Sequence, residues 1–351
     1  MAYIDIRNVA IKGISACVPK HTELVSNYSQ FTQDEAEKFS TSTGVINRHL
    51  VIDGKTSSDL CFTAAEKLLE QLKWDKSEID ILVFASQTRD YILPSTCCIL
   101  QDRLGLLKEC ITIDIPYGCS GWIYGLSTIA SYFMSGTLRK GLLLAGDVIT
   151  PHHNVLDKSS YPLFGDAGTA TAIEFDIDAS NINFHLATDG SGYNAIIIPD
   201  GGYRNRTSPE SFKLHDYGAE GKRTNLDCYL NGMDVFSFAI SKVPKSVKNL
   251  MERLNITIGE IDYFVMHQAN LFLNETIRKK TKFSEVQIPY SLDEYGNTSC
   301  SSIPLTIAAK LQTKITSTQC KFLACGFGVG LSWGTVYFET DKIVCLPIIE
   351  I

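Results

Sequence analysis

No apolar run in this chain approaches the about 20 residues that a membrane-spanning helix needs. Positive charge is not in excess either. The 32 Lys and Arg stand against 39 Asp and Glu, a formal net charge of −7, whereas nucleic-acid binding calls for a broad basic surface. Any acidic partner must therefore meet a local basic patch. There is no CxxC pair and no histidine spacing suited to zinc, so the 11 cysteines do not read as a metal centre. The neighbours Cys97 and Cys98 cannot easily point into one metal site. An odd count of scattered cysteines reads as reduced thiols. The first residues, Met1-Ala-Tyr-Ile-Asp-Ile-Arg, show no basic stretch leading into an apolar one. These absences lead us to expect a soluble, cytoplasmic protein with no nucleic-acid partner and no membrane insertion.

The hydrophobic fraction is 44%, with a mean hydropathy of +0.02. A chain of 351 residues so composed can bury a sizeable core, and its length suggests two units of ~150 residues. A duplication is visible inside it. AAEKLLEQLKW at 64–74 and SVKNLMERLNI at 246–256 place Leu68 and Leu72 opposite Leu250 and Leu254, the i, i+4 spacing of an amphipathic helix. Each segment leads into an apolar strand, EIDILVFASQ from Glu78 and EIDYFVMHQA from Glu260, at the same offset. LLLAGD from Leu142 and FLACGF from Phe322 repeat it at nearly that offset. Helices alternating with near-continuous apolar strands at 81–86, 142–146, 262–267 and 321–325 predict α/β layers whose sheets are covered on both faces. The polar stretch 176–183 is the expected boundary, giving halves 1–178 and 179–351. Residues 200–227, poor in apolar side chains, read as a long surface loop or flap.

Four segments could carry chemistry. In Tyr117-Gly118-Cys119-Ser120-Gly121 a cysteine stands between a strand (from Cys110) and a helix running from Trp122 to Ser135. The free N–H groups and dipole of a helix start favour thiolate, although a free cysteine in a turn is more often a small buried hydrophobe. His267-Gln268-Ala269-Asn270 ends an apolar strand, where α/β sheets build sites. Alone, such a histidine is more often a satisfied core residue. His152-His153 fall in a loop and read as surface. Asn297 in Gly-Asn-Thr-Ser precedes a helix through Ile307 to Leu311, and an ordinary N-cap would explain it. Gly326-Phe327-Gly328-Val329-Gly330 is either a tight hairpin or a turn that aims backbone N–H groups at a ligand.

Taken in order, these motifs closely resemble the ketoacyl-acyl-carrier-protein synthase III family: Cys-Ser-Gly, His-Gln-Ala-Asn, Gly-Asn-Thr-Ser with Ser-Ile-Pro, and Gly-Phe-Gly-x-Gly with Trp-Gly. Phe164-Gly165-Asp166-Ala167-Gly168 and Leu93-Pro94-Ser95 fit as well, so the resemblance spans essentially the whole chain. It implies a thiolase fold, five layers αβαβα built from two similar halves and usually dimeric. It also implies that Cys119 takes an acyl group from a thioester, and that His267 and Asn297 stabilise the enolate left when a malonyl thioester loses carbon dioxide. The backbone of Cys119, Gly328 and Val329 would form the oxyanion hole. Asn270, Phe164, Phe236, Met233 and Leu93 would line the substrate and pantetheine tunnel, with Leu93 capping the pocket from a homodimer partner. Arg278, Lys279 and Lys280 would dock an acyl carrier protein. Acyl-CoA or acyl-carrier-protein primers and malonyl-carrier-protein are the implied substrates, and no metal or redox cofactor is implied.

Several positions depart from the family pattern. Lys38 and Ser42 stand where it has an adenine-stacking Trp and an Arg, Phe272 replaces an Arg, Ser237 a Lys and Val329 a Gly. These changes suit a specialised fatty-acyl or surface-polysaccharide acyl pathway as well as they suit housekeeping initiation. Three other chemistries compete. A thiolase would use a second cysteine, with Cys325 the candidate. A hydroxymethylglutaryl-CoA synthase-like aldol reaction needs a glutamate where Gln87 stands. A Cys-dependent acyltransferase would pass the acyl group to oxygen or nitrogen without decarboxylation. A catalytically silent binding scaffold would not be expected to keep Cys119, His267 and Asn297 together.

Overall fold

The computed structural model describes residues 2–351. Strands β1 (Ala2–Ile6) and β2 (Val9–Val18) diverge at once into two different sheets. The first sheet is completed by β3 (Ile81–Ala85), β4 (Ile111–Ile115), β5 (Lys140–Asp147) and β6 (Ala167–Phe175), in the order β2-β6-β5-β3-β4. The second holds β7 (Ile182–Thr188), β8 (Tyr263–Met266), β9 (Gln319–Gly328) and β10 (Ser332–Asp341), in the order β1-β7-β10-β9-β8. The two match pair by pair. β3 runs parallel to β5 as β8 does to β9; β5 is antiparallel to β6 as β9 is to β10; β6 is antiparallel to β2 as β10 is to β7. The repeat read from the sequence is thus a repeat of topology.

Among the described residues seven helices have eight residues or more: α1 (Gln33–Thr43), α2 (Ser57–Leu72), α3 (Thr96–Arg103), α4 (Gly121–Phe133), α5 (Gly232–Leu254), α6 (Leu271–Thr281) and α7 (Ser302–Ser317); all but α1, which packs in a small separate core, sort into three layers. α4 and α7 lie between the sheets. Trp122, Ile129 and Phe133 share one core with Ile303 and Ile315, with Ile81 and Val83 of the first sheet, and with Phe322 and Phe338 of the second. A helix pressed from two sides must be apolar nearly all round, and α4 (GWIYGLSTIASYF) is. The indole N–H of the fully buried Trp122 donates to Thr171 Oγ1 at 3.0 Å. α2 and α3 cover the outer face of the first sheet through Leu60, Leu68 and Leu100. α5 and α6 cover that of the second through Val243, Leu250 and Ile277. The result is the expected five layers.

Both duplicated helices begin well before the apolar segments that betrayed them. α2 starts at Ser57, where Thr56 and Asp59 form a capping box, and α5 starts at Gly232, where Asn231 accepts from the Asp234 N–H at 3.2 Å. The division near 178 falls in the connection between β6 and β7, but the halves are not separately closed. β1 pairs with β7 in the second sheet, while β11 (Val344–Cys345) and β12 (Ile349–Glu350) run parallel to β2 in the first. Each half lends edge strands to the other. Residues 200–227 are largely exposed, with one short strand pair, His215–Asp216 with Lys222–Arg223.

Candidate active site

Cys119 lies in the turn from β4 to α4, closed by the Gly121 N–H donating to the Gly118 carbonyl at 2.6 Å. A Cβ on Gly118 would sit 2.7 Å from both Gln87 Oε1 and Val329 Cγ1. The end of β9 passes directly beneath. A Cβ on Gly328 would stand 2.7 Å from Cys119 Cβ and 2.8 Å from its Sγ, and one on Gly326 would meet the Cys119 carbonyl at 2.9 Å. The glycine-rich segment is therefore both a β9–β10 hairpin end and the floor under the cysteine. Ser120 Oγ and Ser332 Oγ, 2.7 Å apart, tie the two together.

Burial pushes the Cys119 thiol up to about 12, with the Asp147 carboxylate adding to the shift. The Ser299 hydroxyl and the backbone N–H groups of Cys119 and Val329 pull the other way. Cys119 thus rests as a thiol: desolvation outweighs the helix dipole that the sequence led us to weigh. The same N–H groups favour the thiolate once it forms.

His267 closes β8, its N–H bonded to the Cys325 carbonyl at 2.8 Å. The ring is 2% exposed, and its Nδ1 lies 2.8 Å from Ser302 Oγ. Because Nδ1 is engaged and the ring lines the cavity, Nε2 is left for a ligand. Burial drives its pKa down to about 3, so the imidazole is neutral at working pH. Asn297 is strapped by its backbone to the 163–165 segment, Asn297 N–H to Leu163 carbonyl at 2.9 Å and Gly165 N–H to Asn297 carbonyl at 3.1 Å. It does not cap α7, which starts at Ser302. Instead its Oδ1 accepts from the Ser299 N–H at 3.0 Å. That bond turns Nδ2 outward as a donor, one hydrogen going to the Ala269 carbonyl at 3.3 Å and the other remaining for a substrate. Ser299, at φ 53°, holds this corner in a conformation uncommon for a residue with a side chain.

The three side chains share one cavity of about 680 Å³, with Phe164, Phe236, Met233 and Asn270 in its wall. Asn270 also caps α6, where its Oδ1 accepts from the Leu273 N–H at 2.8 Å. Leu93 is not in that wall. It is 80% exposed on its own chain, so sequence position alone does not bring it to this site. The reading of His152 and His153 as surface is overturned. Both line the cavity, and His153 is 5% exposed, stacked on Phe164 at 4.3 Å between ring centroids. The loop that carries them is folded inward under the 228–230 segment, where Cys228 N–H meets the His152 carbonyl at 2.6 Å. No sequence periodicity marks that fold. Ser299 and Ser302 stand in the motifs around Asn297, but the sequence assigns neither a role.

Burial likewise drives His153 down to about 3 from an ordinary 6.5. A histidine depressed in the folded state stabilises above its unfolded pKa, and that contribution is lost as pH falls toward the folded one. Stability should therefore decline from about pH 6.5 toward pH 3, each of His153 and His267 adding a slope approaching about 1.4 kcal/mol per pH unit. Equilibrium denaturation across that range measures it, and His153→Gln should flatten the slope by one histidine's worth.

Outside the cavity mouth, Lys38, Ser42 and Phe272 border one shallow groove together with Asp34 and Glu37. Phe272 stacks on Phe236 at 5.5 Å and belongs to both groove and cavity. Of the proposed docking cluster, Arg278 is committed: it chelates Glu275, reaches Glu285 and donates to the Phe283 carbonyl. Lys279 and Lys280 are exposed. Cys325 lies in the core beneath α5, its sulfur accepting from Thr335 Oγ1 at 3.4 Å, and is not part of the cavity wall. Gln87 does line the cavity, but its side chain is an amide that donates to Ser299 Oγ at 3.2 Å. The thiol expected of a thiolase, Cys325, thus lies outside the cavity, and an amide stands where an aldol-type synthase needs a carboxyl; a different thiol, Cys228, does line the wall. Among the described residues, no helix is long and apolar enough to cross a membrane.

The chain is similar to known proteins over most of its length. Residues 113–190 match the family model of 3-oxoacyl-[acyl-carrier-protein] synthase III, and residues 251–340 match the model of its C-terminal part. The chain is 31% identical to β-ketoacyl-[acyl-carrier-protein] synthase III of Chlamydia caviae, over 96% of this chain and 98% of that one. It is 32% identical to the Enterococcus faecalis protein of the same name, over 92% and 96%. A solved 3-oxoacyl-(acyl-carrier protein) synthase from Burkholderia xenovorans superposes with a TM-score of 0.94 at 31% identity, covering 100% of this chain and 99% of that one.

Proposed function

Because the chain belongs to the β-ketoacyl-acyl-carrier-protein synthase III family, a family of condensing acyltransferases, we propose that Cys119, His267 and Asn297 are the residues through which it works. The observation that carries this reading is the convergence of a thiol, a neutral imidazole and an outward-turned amide on one apolar cavity. Cys119 attacks the primer thioester and takes its acyl group as the primer's C–S bond breaks, the carrier thiol leaving with the proton that Cys119 gives up; the N–H groups of Cys119 and Val329 hold the oxyanion, and the visible contribution of Gly328 is clearance. Malonyl-carrier-protein then binds, and His267 Nε2 and Asn297 Nδ2 donate to its thioester oxygen as carbon dioxide leaves and an enolate forms. The enolate carbon attacks the acyl-cysteine, releasing the thiolate and giving a 3-oxoacyl thioester. No redox or metal step is needed. Purified enzyme given malonyl-carrier-protein and an acyl thioester should release carbon dioxide and 3-oxoacyl product. Acyl transfer to an oxygen or nitrogen acceptor without carbon dioxide would replace this reading.

Phe236, Met233 and Asn270 form the pantetheine approach in this reading. The primer arrives on carrier protein, supported by the groove where an adenine clamp would be. Lys38 offers no ring face, Ser42 no charge, and Asp34 and Glu37 would repel CoA phosphates. Base stacking is worth roughly 1–3 kcal/mol, so the same short acyl group should show kcat/KM about tenfold or more higher on carrier protein than on CoA. Lys279 and Lys280 supply the basic contact, with Arg278 held by its glutamates. An equal or better value for CoA would refute the preference, as would a Lys38→Trp/Ser42→Arg variant that gains nothing with acyl-CoA.

The active form is a homodimer in which exposed Tyr91, Ile92 and Leu93 become covered. Light scattering at micromolar concentration should report twice the 38.9 kDa chain mass. A single-chain mass would count against it.

A further inference from the structure

His152 and His153 stand in the cavity wall, yet neither acyl transfer nor decarboxylation uses them. His153 is held at Nδ1, 2.9 Å from Ser160 Oγ, and by its stack on Phe164, while its Nε2 is sealed in without a partner and so is closed to a ligand. His152 is the more open of the two. Its backbone carbonyl is anchored by the Cys228 N–H, but its ring makes no hydrogen bond among the described residues, and neither ring nitrogen is sealed from the cavity. Beside it the Cys228 thiol also lines the wall.

The remaining wall says what kind of group would satisfy that imidazole. No Lys, Arg, Asp or Glu lines the cavity. Arg223, the buried guanidinium of the adjoining segment, is committed to Asp157 at 3.1 Å and to Glu220. A carboxylate on the acyl chain would arrive with no cation to meet it, and an ammonium with no anion. A plain alkyl chain would leave the His152 ring desolvated and unpartnered, which is costly. A hydroxyl matches, because it donates and accepts as a neutral imidazole does. Burial lowers the pKa of His152 and favours that neutral form.

We propose that the acyl group taken up by Cys119 carries a neutral hydroxyl, and that His152 binds it. The inference rests on the reading that Cys119 is acylated inside this cavity.

The test compares butanoyl, 3-hydroxybutanoyl and 4-hydroxybutanoyl thioesters on one carrier, following the rate at which mass is added to Cys119 in the full-length enzyme. One hydroxyacyl group should load about three- to tenfold faster than butanoyl, the scale of one net hydrogen bond. His152→Leu should reverse that order by favouring butanoyl, and His152→Gln, which keeps a donor and an acceptor, should restore it. Butanoyl loading fastest in the unaltered enzyme, or an unchanged ratio in His152→Leu, would overturn the proposal. Carbon dioxide release from malonyl-carrier-protein, measured on the same preparation, separates the two levels. If it persists while no hydroxyacyl group is preferred, the condensing reading stands and the hydroxyl specificity falls. If nothing loads Cys119 and no carbon dioxide appears, both fall.

Discussion

Replacing Cys119 by serine is expected to lower acyl loading by roughly a thousandfold or more. The change removes one polarisable sulfur and leaves the surroundings in place. Gly326 and Gly328 leave just enough room for the side chain, and serine is no larger. A hydroxyl, though, is a far weaker nucleophile in a site where burial already holds the thiol up to about 12, and no charged base lines the cavity to strip its proton. Peptide mass mapping after incubation with an acyl thioester checks this directly. The unaltered enzyme should carry the acyl mass on Cys119, and the variant should carry almost none. Mass on Cys325 or Cys300 would sink the assignment. Both are fully buried and bonded within the core, Cys300 to the Ala85 carbonyl and Cys325 to Thr335, so neither should compete.

Replacing His267 by alanine should separate the two half-reactions. Decarboxylation is expected to fall by about 100–1000-fold, the usual cost of losing one preorganised donor to developing charge, while Cys119 is still acylated. The imidazole is suited to this because it is held neutral. A neutral donor strengthens its hydrogen bond as the enolate gains charge without having to release a proton first. Nδ1 is fixed by Ser302 and the ring meets the edge of Phe327 at 5.5 Å, so little reorganisation is needed. Asn297→Ala should act in the same direction, with an added structural penalty because Oδ1 also holds the Ser299 N–H. Carbon dioxide release and acyl-enzyme formation, measured separately, decide the matter. Collapse of loading with decarboxylation intact would reverse the roles.

The layering is legible in the amino-acid order alone. Near-continuous apolar strands and helices with one apolar stripe predict α/β layers, and the shared offset shows that one unit occurs twice. The catalytic candidates are legible in the same way, because a cysteine between a strand and a helix, a polar strand end and a glycine-rich turn carry local chemistry that survives without knowledge of their neighbours. The family resemblance turns those fragments into one reaction.

The rest depends on contacts between segments far apart along the chain, which only folding brings together. β1 and the final strands cross between the halves because an exposed sheet edge is satisfied by whichever strand lies beside it, not by the nearest in sequence. His152 and His153 reach the cavity wall only because the 150–160 turn folds under the 228–230 segment. Arg278 is neutralised by partners that its own basic run does not announce. The state of the Cys119 thiol follows the same rule: its place at a helix start is local, but the burial that outweighs that place includes Gly326 and Gly328, which pack against it from more than 150 residues further along the chain.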